Sequence, residues 1–98
     1  MVLNKIINKD NSKALKEVYR AVLALESADE CKKFFRDLCT LDELNSMAER
    51  FAVMKMIDKK IPYRQISEKT GSSTATITRV AQWLHHGKGG YKLILARI

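Results

Sequence analysis

Residues 63–78 read Tyr63-Arg-Gln-Ile-Ser-Glu-Lys-Thr-Gly71-Ser-Ser-Thr-Ala-Thr-Ile-Thr78, and Arg79 and Val80 follow at once. The stretch predicts a short helix, a three-residue turn and a second helix. Ile66 has the place of an inward residue on the first helix, and Ser67 is small enough to let the second helix approach. Gly71 stands where the chain leaves the first helix, a position that usually takes positive φ and resists a Cβ. Ser73 is a natural N-cap, its hydroxyl placed to accept the backbone N–H near Thr76. Ile77 and Val80, three apart, turn back onto the first helix. Thr74, Ala75, Thr76, Thr78 and Arg79 are then distributed around the opening turns of the second helix. A Gly at the joint of two helices means little alone. An inward Ile, a small residue, that Gly, a Ser cap and Thr-Ile-Thr-Arg at fixed offsets together predict a helix-turn-helix.

Working outward, the charge is unevenly placed. The 98-residue chain has a formal net charge of +7. Residues 1–54 carry nine Lys or Arg and nine Asp or Glu, whereas residues 55–98 carry nine basic residues and two acids. The whole excess therefore lies in the half that holds the helix-turn-helix. A phosphate backbone is the natural partner of such a surface, and small, polar and basic residues at a helix tip suit the DNA major groove. Solvation of a basic face is the plainer alternative.

An apolar fraction of 46% suffices for the core of one domain. Cys31 and Cys39 lack CxxC spacing, and the opening Met-Val-Leu-Asn-Lys is not followed by a long apolar segment. A cytoplasmic protein with both thiols reduced is expected, and no stretch approaches transmembrane length.

Taken in order, residues 1–11 read as a flexible arm or a segment ordered only against a partner. From about Ser12, Leu15, Val18, Tyr19, Val22 and Leu23 recur at helical spacing. Ser27 with Glu30 forms a capping box for a second helix with Cys31, Phe34, Phe35 and Leu38 as its apolar stripe. Thr40 with Glu43 repeats the device for a longer helix over residues 41–60, striped by Leu44, Met47, Phe51, Met54 and Ile57. Lys59 and Lys60 suit its C-terminal end, and Ile61-Pro62 breaks it. Pro62 is expected in the first turn of the next helix. The helix-turn-helix runs over residues 62–84, residues 85–90 form a loop, and residues 91–98 form a short final helix. The expected fold is all-α, with about six helices in one domain. The first two stripes are difficult to bury within so small a chain, so an intertwined homodimer built on residues 12–60 is expected, with a compact monomer as the alternative.

With Thr40-Leu-Asp-Glu43, Arg50 and Gly71-Ser-Ser-Thr-Ala-Thr-Ile-Thr-Arg79 in view, the chain resembles the Trp repressor superfamily, and within it the YerC/YecD-like subgroup. The resemblance spans about residues 12–97 and is most specific over 62–80. It implies an all-helical interlocked homodimer that binds DNA. In Trp repressor, L-tryptophan lies between two arginines, with polar contacts from the partner chain. The matching positions here are Arg50 and Arg79, with Thr40 in the partner-supplied segment. The family has glycine where this chain has Val80 and a small serine where it has Trp83. The two share a helix face. Trp83 is expected to fill part of the space of the free amino acid, so that no cofactor is expected and the reading head is constitutively placed. Packing of Trp83 against the last helix is the alternative. Arg50 and Arg79 can equally serve structural ion pairs with Glu49, Glu68 or acids of a partner chain.

The resemblance also assigns the DNA-reading positions. Arg64 matches a position that reaches a guanine edge, where a bidentate contact to O6 and N7 discriminates by about 1–3 kcal/mol. Thr74, Ala75 and Thr78 match positions facing the groove, and Thr76 and Ser67 belong to the same surface. The family has isoleucine in place of Thr74 and lysine in place of Ser67, so the preferred DNA sequence should differ. Lys55, Lys59, Lys60 and Lys69 are phosphate-contact candidates.

Other functions have less support. His85 and His86 are adjacent and lack a neighbouring carboxylate or cysteine to complete a metal set. No nucleophile–base arrangement or phosphate loop is present, so an enzyme is not expected. The expected function is a transcriptional regulator, a repressor by default, that binds double-stranded DNA as a homodimer. The rivals are a protein-interaction module on the same fold and a regulator gated by a small ligand other than tryptophan.

Overall fold

The computed structural model describes residues 11–98, and they form six helices. These are α1 (Asn11–Ala24), α2 (Ala28–Leu38), α3 (Leu41–Asp58), α4 (Tyr63–Thr70), α5 (Thr74–His86) and α6 (Gly90–Leu95). The described residues contain no strand. Apart from Asn11, which opens α1, the expected arm over residues 1–11 lies outside the described residues.

The chain divides at Thr40/Leu41 into two units. In the first, Ser27 caps α2 by accepting the Glu30 N–H at 3.1 Å, and the Glu30 carboxylate accepts the Glu26 N–H at 2.8 Å. The reciprocal device read from Ser27 and Glu30 is therefore present, with the carboxylate reaching one residue further back. Phe34 and Phe35 meet edge to face, their ring centroids 5.5 Å apart. Yet none of the described side chains from residue 12 to residue 40 is fully buried. Tyr19 and Leu23 remain 58% and 84% exposed, and the Leu15, Val22 and Leu38 side chains also face solvent. Two amphipathic helices without a core of their own present a continuous apolar demand.

The second unit has the core. Val53, Met54 and Ile57 of α3, Ile66 of α4, and Ile77, Val80, Ala81 and Leu84 of α5 are buried together. Met56, Ile61, Tyr91 and Leu95 pack against them. Burial of each large member is worth about 1.5–3 kcal/mol. The core is built on the C-terminal half of α3, which touches both α4 and α5, while α6 docks on α5. The expected α3 stripe accordingly splits. Met54 and Ile57 enter the core with the unforeseen Val53, whereas Met47 and Phe51 stay more than a third exposed.

α3 ends two residues earlier than expected. Lys60 adopts φ +62°, the Lys60 N–H bonds the Ile57 carbonyl at 2.9 Å, and the Ile61 N–H returns to the Met56 carbonyl at 3.1 Å. That pair of bonds is a Schellman ending with a lysine in the left-handed position where glycine is usual. Pro62 is the N-cap of α4, with extended ψ 143°, and lies just outside the helix instead of in its first turn. α5 continues through His85 and His86, which were expected in the loop, and α6 is shorter than the expected 91–98.

Candidate nucleic-acid interface

The joint between α4 and α5 consists of Gly71, Ser72 and Ser73. Gly71 has φ +76°, and the Gly71 N–H bonds the Ser67 carbonyl at 2.8 Å, which closes α4. A Cβ built at Gly71 would meet nothing within 4 Å, so conformation alone accounts for the glycine. Ser73 then caps α5, accepting the Thr76 N–H at 3.1 Å.

Hydroxyls build the rest of the joint. The Ser67 hydroxyl donates to the Ser72 carbonyl at 2.8 Å, the Thr70 hydroxyl donates to the Ile66 carbonyl at 2.7 Å, and Thr70 Oγ1 accepts the Ser72 N–H at 3.1 Å. Two side chains, Ser67 and Thr70, thus make three bonds and pair the N–H and the carbonyl of Ser72, which neither helix can pair. The run of hydroxyl residues around Gly71 is the sequence signal for this, but it does not tell which backbone groups Ser67 and Thr70 pair.

The geometry sorts the expected DNA-reading residues. Thr74, Ala75 and Thr78 are exposed on the opening turns of α5, and Arg64 and Lys69 are exposed on α4. The Arg64 side chain is 91% exposed and Nε lies 3.4 Å from Glu68 Oε1. Lys60 is exposed beside the start of α4. Two residues differ in character. Ser67 is half-buried with its hydroxyl turned to the joint, and Thr76 is half-buried with Oγ1 accepting from the Ser73 hydroxyl at 3.1 Å. Both serve the architecture of the head before any ligand arrives.

The ligand-pocket residues are dispersed in burial. Arg50 and Arg79 are exposed, and Thr40 closes the first unit. Val80 is fully buried in the core, because it follows Ile77 by one turn on the face turned inward. Trp83 is 43% exposed and edges a groove shared with His86, Gly87 and Tyr91, at the junction of α5 and α6. The position where the resemblance places a glycine is therefore a core position in this chain, and Val80 there departs from that pattern. Glu68, offered as a partner for Arg50 or Arg79, is paired with Arg64.

The capped α5 tip, the hydroxyl-tied joint and the basic surface define a helix-turn-helix protein. Residues 13–98 match the family described as Trp repressor protein, and the chain belongs to that family, one of DNA-binding regulators and not of enzymes. It is 39% identical over 92 residues to the uncharacterised protein YerC of Bacillus subtilis (strain 168), covering 94% of this chain and 88% of that one. The crystal structure of a candidate Trp repressor from Staphylococcus aureus superposes with a TM-score of 0.83 at 44% identity, covering 93% of this chain and 91% of that one. That of a TrpR-like protein from Eubacterium eligens ATCC 27750 gives 0.83 at 40% identity, covering 96% and 93%. No helix among the described residues is long and apolar enough to cross a membrane.

Proposed function

We propose that the protein is a sequence-specific transcriptional regulator that binds DNA as a homodimer with the tip of α5 in the major groove, and that it acts as a repressor. The observation that carries the reading is the capped start of α5, where Thr74, Ala75 and Thr78 stand exposed, with Arg64 exposed on α4. These side chains are short enough to let the helix tip enter the groove. Their methyls and hydroxyls can meet thymine methyls, bases or phosphates, and the Arg64 guanidinium can read guanine. Lys60 and Lys69 are exposed on the same unit and suit phosphate contacts. Homodimerisation is supported by the uncovered apolar faces of α1 and α2 and by the exposed Met47 and Phe51 of α3. Repression follows most simply from a small head that occludes a promoter.

Fluorescence anisotropy with duplex DNA at increasing salt tests this reading. Binding that weakens steeply with salt is expected. Arg64→Ala should abolish sequence preference, and Lys60→Ala should weaken all duplexes alike and lower the salt slope by about one. Absence of binding at low salt would favour a protein-interaction module instead.

A further inference from the structure

We propose that Glu68 sets the specificity of the DNA-reading surface, holding Arg64 for base contact and disfavouring sequence-independent contact with phosphates. The inference rests on the DNA-binding reading above. Glu68 Oε1 engages Arg64 at Nε, at 3.4 Å, one turn along α4. Pairing at Nε leaves the N–H groups of both terminal guanidinium nitrogens unoccupied, and these form the fork that reaches O6 and N7 of guanine.

Helix stability does not explain this carboxylate. Acid before base is the better order for a pair four residues apart, and here the base comes first. Glu68 also lies in the last turn of α4 (Tyr63–Thr70), at the negative end of the helix dipole, where an acid is unfavourable. Both side chains are mostly exposed, so the pair contributes little to folding. Residues 55–98 contain only two acids, Asp58 and Glu68, among nine basic residues. One of those two therefore sits beside the arginine best placed to read a base.

Its consequence falls on the ligand. On random DNA an unrestrained arginine takes the nearest phosphate, which adds affinity without information. Glu68 competes for Nε and repels the approaching phosphate, so that contact is weakened. On a matched site the terminal N–H groups reach guanine while Nε stays with Glu68. Discrimination then comes from penalising the wrong complex as well as from favouring the right one.

The test compares the full chain with Glu68→Gln, Arg64→Ala and the double variant, on a duplex enriched by selection and on a random duplex, over a salt series. Glu68→Gln keeps the length and an acceptor oxygen and removes the charge. It should bind random duplex about 3–10-fold more tightly at low salt, with a slope steeper by about one as Arg64 takes a phosphate. Preference for the selected duplex should fall, and the slope change should vanish in the Arg64→Ala background. Equal gains on both duplexes, an unchanged slope, or the same slope change without Arg64 would overturn the inference. So would a loss of thermal stability that accounts for the changes. Failure of the unmodified chain to bind either duplex would instead remove the DNA-binding reading itself, and the inference with it.

Discussion

The Ser73 hydroxyl accepts the Thr76 N–H and donates to Thr76 Oγ1, both at 3.1 Å, so a single side chain caps α5 and fixes the residue three positions on. Replacing Ser73 by Ala should destabilise the protein by about 1 kcal/mol, seen as a lower midpoint in denaturant unfolding. DNA affinity should fall with it, because the turn that presents Thr74 and Ala75 frays. Unchanged stability would mean that the cap does not anchor the head.

Lys60 holds φ at +62° at the end of α3, where glycine would be free of strain. Lys60→Gly should therefore raise stability by about 1 kcal/mol while weakening DNA binding without regard to sequence. Thermal melting and anisotropy on two unrelated duplexes check the two halves. A gain in stability with no loss of binding would show that the charge is ornamental.

Ser72 is 3% exposed and its Oγ has no hydrogen-bond partner. A buried hydroxyl without a partner costs free energy, so Ser72→Ala should stabilise by about 1 kcal/mol. Ser67→Ala should act in the opposite direction, because it strips the Ser72 carbonyl of its 2.8 Å donor. Chemical denaturation of both variants tests the contrast, and two changes of the same sign would contradict it.

The joint was the most legible part of the fold. Gly71 and Ser73 have strong local preferences, and both do in the structure what those preferences require. Capping at Ser27 and the core positions Met54, Ile57, Ile66 and Ile77 were legible for the same reason, since periodicity and caps act within a few residues. What escaped is what depends on company. The α3 stripe could not be split from sequence, because only the docking of α4 and α5 decides that Val53 is covered while Phe51 is not. Lys60 gave no signal of its left-handed backbone, since lysine is an ordinary residue at a helix end. The bonds that Ser67 and Thr76 make in the joint were not legible, because a hydroxyl serves a turn or a phosphate equally well. The Arg64–Glu68 spacing was visible, but which arginine Glu68 would choose was not.

Val80 is buried in the core and Trp83 lies beside α6, and both depart from the pattern that would hold a free indole. Saturating L-tryptophan should leave the melting temperature unchanged. Stabilisation of about 4 kcal/mol at 1,000 times Kd would be unmistakable and would contradict the expectation of an effector-free head.

Selection of bound fragments from a random duplex library asks whether two copies of the chain read one duplex. Enrichment is expected of a two-fold symmetric sequence whose half-sites lie about 10–10.5 base pairs apart or a multiple of that, lost on Arg64→Ala. No enrichment, or an unpaired site equally well bound by Arg64→Ala, would contradict the proposed function.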